Sequence, residues 1–386
     1  MTANVTGPSE SICSIKEKNR RVRRWGIGLL FLGLVVLGWV MSGYLVNTLF
    51  EGGKYRKPYL VTYINTGMFS FYLIPTIYNY GKKQSGLIKK TELNISDIPV
   101  PDYEPVPSNA STTKIENEFT TKESAILSSQ FCILWFLSNF FTNSSLAFTN
   151  VSSATILSCT SSFFTLIIGA ICKVEQFTMA KFLVLCLSLI GIILLTKADK
   201  SSIRAFSMLF PIHATTPLTE ENWPVIGNLM ASGGALFYGI YTTLLKLKVG
   251  DESRINIRMF LGFVGVFNIV LHAPVSVLFH YTGVEKFSMP PDSETWLVLF
   301  INALSTLISD FSWVLAMLMT SPLVVTVGLG ATIPLTMAGD VLFKHHVSSF
   351  NYFFGAFLVC ISFLFVNQYD ENEEIVKIND ETDTEG

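Results

Sequence analysis

The stretch WLVLFINALSTLISDFSWVLAMLMTSPLVVTVGLGATIPLTMAGDVLF, residues 296–343, decides the fold class. It holds two apolar runs, 296–319 and 323–343, parted by Thr320, Ser321 and Pro322. Its charged residues are Asp310 and Asp340. A helix needs about 20 apolar residues to cross the hydrocarbon core. A backbone in lipid must also satisfy its own N–H and C=O groups, which a helix does. The stretch predicts two membrane-spanning helices joined by a tight turn.

Eight further apolar windows precede or follow it: residues 25–50, 58–80, 125–148, 151–172, 178–195, 223–245, 259–281 and 352–366. The whole chain of 386 residues is 50% apolar and 15% charged, with a mean hydropathy of +0.46. A soluble domain carries roughly 25% charge, which argues against a cytosolic enzyme. A formal charge of -2 gives no sign of a nucleic-acid partner. The alternating polarity of a membrane β-barrel is absent. The expectation is an all-α integral membrane protein with ten transmembrane helices, its partner the lipid bilayer.

All 27 Lys and Arg residues fall outside the windows or at their ends. With the N-terminus in the cytosol, 19 basic residues lie on the cytosolic side and 8 on the other. Both termini are then cytosolic. The expected layout is a basic N-terminal segment (1–24), spans 1 and 2 (25–80), a disordered cytosolic loop (81–122) and spans 3 to 5 (123–197). A non-cytosolic loop (198–222), spans 6 to 10 (223–368) and an acidic tail (369–386), expected to be disordered, complete it. Ten spans split five plus five give two halves of opposite orientation, an inverted repeat. A shift of 170 residues lays 151–170 on 321–340, pairing Ser162 with Thr332 and Gly169 with Gly339.

Polar side chains on a spanning helix point at another helix or at a water-filled path. In span 8, Asn302, Ser305, Thr306, Ser309 and Trp313 share one helical face, with Asp310 beside them near mid-span. A carboxylate at that depth marks a functional site by default, able to bind a proton or a cationic solute. Further pathway candidates are Ser158 and Ser162 in span 4, Asn139 in span 3, Thr332 in span 9, and Tyr238 and Tyr241 in span 6. These tyrosines could stack on a planar or cationic solute. Span 1 offers Trp39, Gly43 and Asn47 at i, i+4, i+8, and span 3 adds Trp135. Gly328, Gly330 and Pro334 are the candidates for a kink or gate in span 9. Asp310 and Asp340 are the candidates for coupling, although Asp340 is four residues from Lys344 and suits a surface pair. His272 in span 7 is titratable, and a neutral packed histidine is the commoner case.

Other chemistries lack their motifs. An intramembrane aspartyl protease needs YD and GxGD, but Ser309 precedes Asp310 and Met337 stands where the first glycine of GxGD belongs. There is no phosphate-binding GxxxxGK[ST] loop. The six cysteines show no CxxC or CxxH spacing, so neither a disulfide framework nor a metal site is expected. No cofactor and no enzyme activity are expected.

The runs SSATILSCTSSFFTL (152–166), YGIYTTLLK (238–246), MFLGFVGVFN (259–268) and the part of the opening stretch from Leu307 to Asp340 resemble the drug/metabolite transporter superfamily. Within it they look most like the F-group of solute carrier family 35 and its fungal vacuolar-membrane and thiamine-repressible members. The segment WVMSGYLVNTLFEGGKYRKPYLVTYINT (39–66) fits the same group. The resemblance implies a five-plus-five carrier, its cavity lined by spans 1–4 and 6–9, with spans 5 and 10 peripheral. Asp310, Ser321, Pro322, Thr332, Pro334 and Asp340 sit on the family-like motif; His272 does not. It further implies a secondary transporter of a small organic solute; the family naming together with the buried carboxylate of Asp310 points to a cationic or thiamine-related one, and Asp310 itself to protons as a coupling partner. The membrane would be the vacuolar one, with mitochondrial and Golgi membranes as alternatives. The competing reading is a non-transporting scaffold or regulator that acts through the 81–122 loop.

Overall fold

A computed structural model describes residues 8–50, 55, 57–78, 119–145, 157–197, 223–283, 285–335 and 350–385. Among these residues there is no strand. The main helices are α1 (Pro8–Phe50), α2 (Pro58–Gly67, prolonged by the 3-10 segment Met68–Leu73), α3 (Thr121–Ser145), α4 (Ser161–Ile171) and α5 (Met179–Lys197). They continue as α6 (Trp223–Val249), α7 (Ile257–Thr282), α8 (Ser293–Met319), α9 (Pro322–Leu329) and α10 (Phe350–Glu385). Each falls on one of the expected windows. Among the described residues six stretches are long and apolar enough to cross a membrane: Arg20–Val46, Tyr59–Tyr78, Thr121–Thr142, Ile257–Thr282, Ser293–Met319 and Phe353–Glu373. Leu157–Ile171, Met179–Leu194 and Pro322–Leu335 are shorter apolar helices. The described residues form an all-helical bundle, and the chain is an integral membrane protein.

Several helix starts are written in the sequence. Thr120 and Glu123 form a capping box: the Thr120 hydroxyl accepts from the Glu123 N–H, and the Glu123 carboxylate accepts from the Thr120 N–H at 2.9 Å. Asn256, Asp292 and Ser321 cap α7, α8 and α9, each accepting a backbone N–H from three residues on. The cap at Ser321, followed by Pro322 at the first helical position, explains the abrupt turn between α8 and α9.

Side-chain contacts give the helix directions. Along α1 and α8, Gly28 lies against Thr320, Gly38 against Ser309 and Ser42 against Asn302, so the two run antiparallel. Antiparallel contacts also join α2 to α7, α3 to α6 and α5 to α10. Parallel contacts join α3 to α7 and α2 to α8. Close neighbours further include α4 with α6, α1 with α9, α4 with α9, α4 with α5 and α9 with α10. The starts of α1, α3, α5, α7 and α9 gather at one end of the bundle with the ends of α4, α6, α8 and α10.

Two boundaries differ from expectation. The acidic tail continues α10 as helix to Glu385. Asp370 and Glu373, at its start, are drawn onto Lys181, which carries the helix past its apolar part. The expected loop ends early, because the capping box starts α3 at Thr121. The rest of that loop, the 198–222 loop, Gly339 and Asp340 lie outside the described residues, as does the side chain of Asn47.

The α1–α8 seam has no room for a side chain at Gly38: a Cβ there would run into the Ser309 hydroxyl and sit 3.1 Å from its Cβ. Overpacking costs about 1–3 kcal/mol, against the roughly 1 kcal/mol that Ala gains over Gly in a helix. Gly38→Ala should therefore lower the melting temperature of the purified protein, and adding Ser309→Ala should restore it. A Gly38→Ala protein that melts above wild type would refute the close seam.

Candidate functional site

The middle of the bundle is aromatic. Trp313 (α8), Tyr241 (α6), Phe131 (α3), Phe260 (α7) and Phe69 are fully buried. Trp135 meets Trp313 with ring centroids 5.6 Å apart and Tyr241 at 5.3 Å. Tyr241 meets Trp313 at 5.6 Å, edge to face. Such pairs add about 0.5–1.5 kcal/mol each beyond the apolar area they bury. The Trp313 indole N–H donates to the Tyr238 hydroxyl at 3.0 Å. Four helices thus meet on packed rings, with the Trp313 indole N–H satisfied among them.

Asp310 stands beside this cluster, nine residues before the end of α8, roughly 14 Å along the helix. It is 3% exposed. Its Oδ1 accepts the Trp39 indole N–H at 3.2 Å. Tyr72, Tyr238 and Tyr241 lie within reach of its charge. Among the described residues no ion pair reaches it.

The other candidates divide. Asn302 is buried, accepts from Ser42 at 2.7 Å and donates to Asn65 at 3.3 Å, tying α8 to α1 and α2. Ser305 and Ser309 face the Gly38 backbone, so this part of the stripe packs helix on helix. Thr306 bonds back to the Asn302 carbonyl, Asn139 to Trp135, Ser162 to Cys159 and Thr332 to Leu329. Ser158 is half-buried ahead of α4. Gly328 lets Leu32 of α1 and Phe363 of α10 approach α9 closely, and Gly330 sits over the Val327 carbonyl. Pro334 is described; Asp340 is not. His272 stacks on Phe136 at 3.5 Å, its Nδ1 3.2 Å from the Asn268 carbonyl. The structure brings Asp310, Trp313, Tyr238 and Tyr241 to one place. In span 1's stripe Trp39 turns inward and Gly43 is exposed.

Two features had no local signal in the sequence. At the end of the bundle with the α8–α9 turn, Arg24 pairs with Asp251 at 2.9 Å and with Glu252, and also bonds the Leu318 carbonyl. Burial pushes the Glu252 carboxyl up despite the Arg24 guanidinium. At the same end, Lys181 is buried among Glu175, Asp370 and Glu373. These pairs span from 6 to more than 220 residues of sequence, and only folding brings them together.

A multi-pass helical protein with a carboxylate and aromatic rings at mid-depth has the make-up of a membrane carrier. Known proteins agree. The chain is 45% identical to an uncharacterized vacuolar membrane protein of Saccharomyces cerevisiae, over 93% of this chain and 94% of that one. It is 38% identical to an uncharacterized transporter of Schizosaccharomyces pombe, over 91% and 98%. Mouse solute carrier family 35 member F5 is 35% identical over 68% of this chain and 48% of that protein. No family model matches. A crystal structure at 14% identity superposes with a TM-score of 0.58, covering 90% of this chain and 98% of the other, which shows the shared fold alone. The chain belongs to the F-like transporters of solute carrier family 35 and is a membrane transporter.

The aromatic cluster gives a direct check. Tyr238→Phe, which removes the acceptor of Trp313, should cost about 1 kcal/mol. Trp135→Ala, which opens a void among the packed rings, should cost about 3–5 kcal/mol. Thermal unfolding of both variants measures the difference. Equal, small costs would mean that the rings line a hollow rather than fill a core.

Proposed function

We propose that the chain is a secondary transporter that moves a small organic cation, thiamine-related compounds included, across an intracellular membrane. The carrying observation is Asp310: a carboxylate buried at mid-depth whose hydrogen bond comes from a neutral indole. A charge so placed needs a proton or a cation beside it. Once the halves part and the packed cluster opens, Trp39, Tyr238, Tyr241 and Trp313 can turn ring faces, and the tyrosines their hydroxyls, to a planar cation. Proton and solute compete for one carboxylate, which couples flux to pH. Asp340 is a second coupling candidate at the far end of span 9.

Two inverted halves, α1–α5 and α6–α10, rock about this carboxylate in alternating access. The neighbour pattern supports the repeat. Advancing each helix by five turns α1–α8 into α6–α3, α2–α8 into α7–α3, α1–α9 into α6–α4 and α4–α5 into α9–α10, all of which are packed pairs. The pairs α2–α7, α4–α9 and α5–α10 map onto themselves. Helices α5 and α10 pack chiefly on each other, as peripheral spans would. The 19-to-8 distribution of basic residues puts both termini and the α8–α9 turn in the cytosol. The S. cerevisiae relative makes the vacuolar membrane the first choice of location.

The test is uptake of labelled thiamine and choline, as two cationic probes, into vacuolar vesicles from cells overproducing the chain. Asp310→Asn keeps the shape and most hydrogen bonding, so amount and targeting should be near normal. Its pH-dependent uptake should fall at least about tenfold, the loss of a charge-assisted contact worth ~1.5–3 kcal/mol; Asp340→Asn should be milder. Uptake by Asp310→Asn equal to wild type at every pH would reduce Asp310 to a structural role.

A further inference from the structure

The turn after α4 is built to bury a carboxylate. Lys173 takes the left-handed conformation (φ 58°), and the N–H groups of Val174 and Glu175 both return to the Gly169 carbonyl, at 2.8 and 3.1 Å. Gly169 is needed there, since a Cβ would lie 2.7 Å from the Glu175 Cγ. Glu175 is thereby folded across the end of α4 and into the protein, its side chain 3% exposed. Its Oε1 accepts the Leu323 N–H in the first turn of α9 at 3.2 Å, and its Oε2 lies 3.7 Å from the Lys181 Nζ.

Lys181, 1% exposed, also meets Asp370 at 2.6 Å and Glu373 at 2.7 Å, both on α10. Asp370 accepts from the hydroxyl of Ser321, the residue that caps α9. Glu175 and Lys181 belong to the first half of the chain; Asp370, Glu373, Ser321 and Leu323 belong to the second. The contacts therefore tie the halves together at one end of the bundle. Glu175, Lys181 and Asp370, when all are ionised, leave one negative charge in excess in a buried site. Buried charge without compensation is costly. One proton on Glu175 balances the trio, and its carbonyl oxygen can still accept from Leu323.

We propose that Glu175, Lys181 and Asp370 form a proton-operated latch between the two halves, shut while Glu175 is protonated and parting as that proton leaves for the adjoining aqueous phase. The proposal rests on the two-half carrier reading for its meaning in transport. It adds a proton site separate from Asp310. The groups facing Glu175 are Lys181 from α5, Asp370 and Glu373 from α10, and the Ser321 hydroxyl and Leu323 N–H from the α8–α9 turn; Lys173, in its own turn, is exposed. Burial first, then the charge of Asp370, push the Glu175 carboxyl up to about 8, against the pull of Lys181. Once the latch parts and water reaches Glu175, the carboxyl returns to its ordinary value. The shut arrangement thus binds more protons. Its advantage is complete below the ordinary carboxylate range and is lost as pH rises through about 8.

Hydrogen–deuterium exchange of the full chain in lipid nanodiscs tests this without any solute, so latch and carrier readings can fail separately. Protection of the first α9 amides, corrected for the intrinsic pH dependence of exchange, should fall about tenfold between pH 7 and pH 9. Glu175→Gln, a permanently uncharged stand-in, should keep high protection across that range. Asp370→Asn, which removes a neighbouring negative charge, should move the step to lower pH. Wild-type protection that does not change, a Glu175→Gln protein with the same step, or an Asp370→Asn step that stays in place would each overturn the latch. If Glu175→Gln fails to accumulate, the wild-type and Asp370→Asn profiles still decide.

Discussion

The backbone approach of α1 to α8 at Gly38 and Ser309 is the constraint on which the middle of the molecule depends. In lipid, helices gain little from hiding apolar surface from one another, so close packing of small residues and a few polar contacts hold them. With no side chain on Gly38, the two helices come close enough for Ser42 to reach Asn302 and for the Trp39 indole to reach Asp310. The same seam carries Arg24 over the end of α8, onto the Leu318 carbonyl and the acidic pair Asp251 and Glu252. Widening it would release the carboxylate at mid-depth and the ion pairs at the end together.

Much of the fold was legible because its signals are local. Apolar runs mark the helices, and the caps at Thr120, Asn256, Asp292 and Ser321 mark where several begin. Asp310 stood out for the same reason, as a charge inside an apolar run. The polar stripe of span 8 was harder to read. Its periodicity shows that Asn302, Ser305 and Ser309 turn inward, but a helix neighbour and a solute path leave the same pattern, and the α1 backbone is what these residues meet. Trp39 and Trp135 were visible as stripe members; that they belong with Asp310 and Trp313 depends on contacts between distant helices.

The charged end of the bundle was the least legible part. Lys181 reads as a cation at the edge of an apolar window, and Asp370 as the first acidic residue of the tail. Their pairing needs α5 and α10 to lie side by side, which no local pattern states. The same pairing explains why α10 runs on past its apolar part instead of fraying. Burying a lysine in its first turn is tolerable for α5 only because carboxylates from α10 and from the turn after α4 meet it there.

Transport of a small organic cation by this bundle would alter the cation content of the vacuole. Purified vacuoles from cells lacking the chain and from cells overproducing it can be compared by metabolite profiling. At least one small organic cation should shift in vacuolar content in opposite directions in the two strains. Cation profiles that are indistinguishable between the strains would contradict cation transport by this bundle.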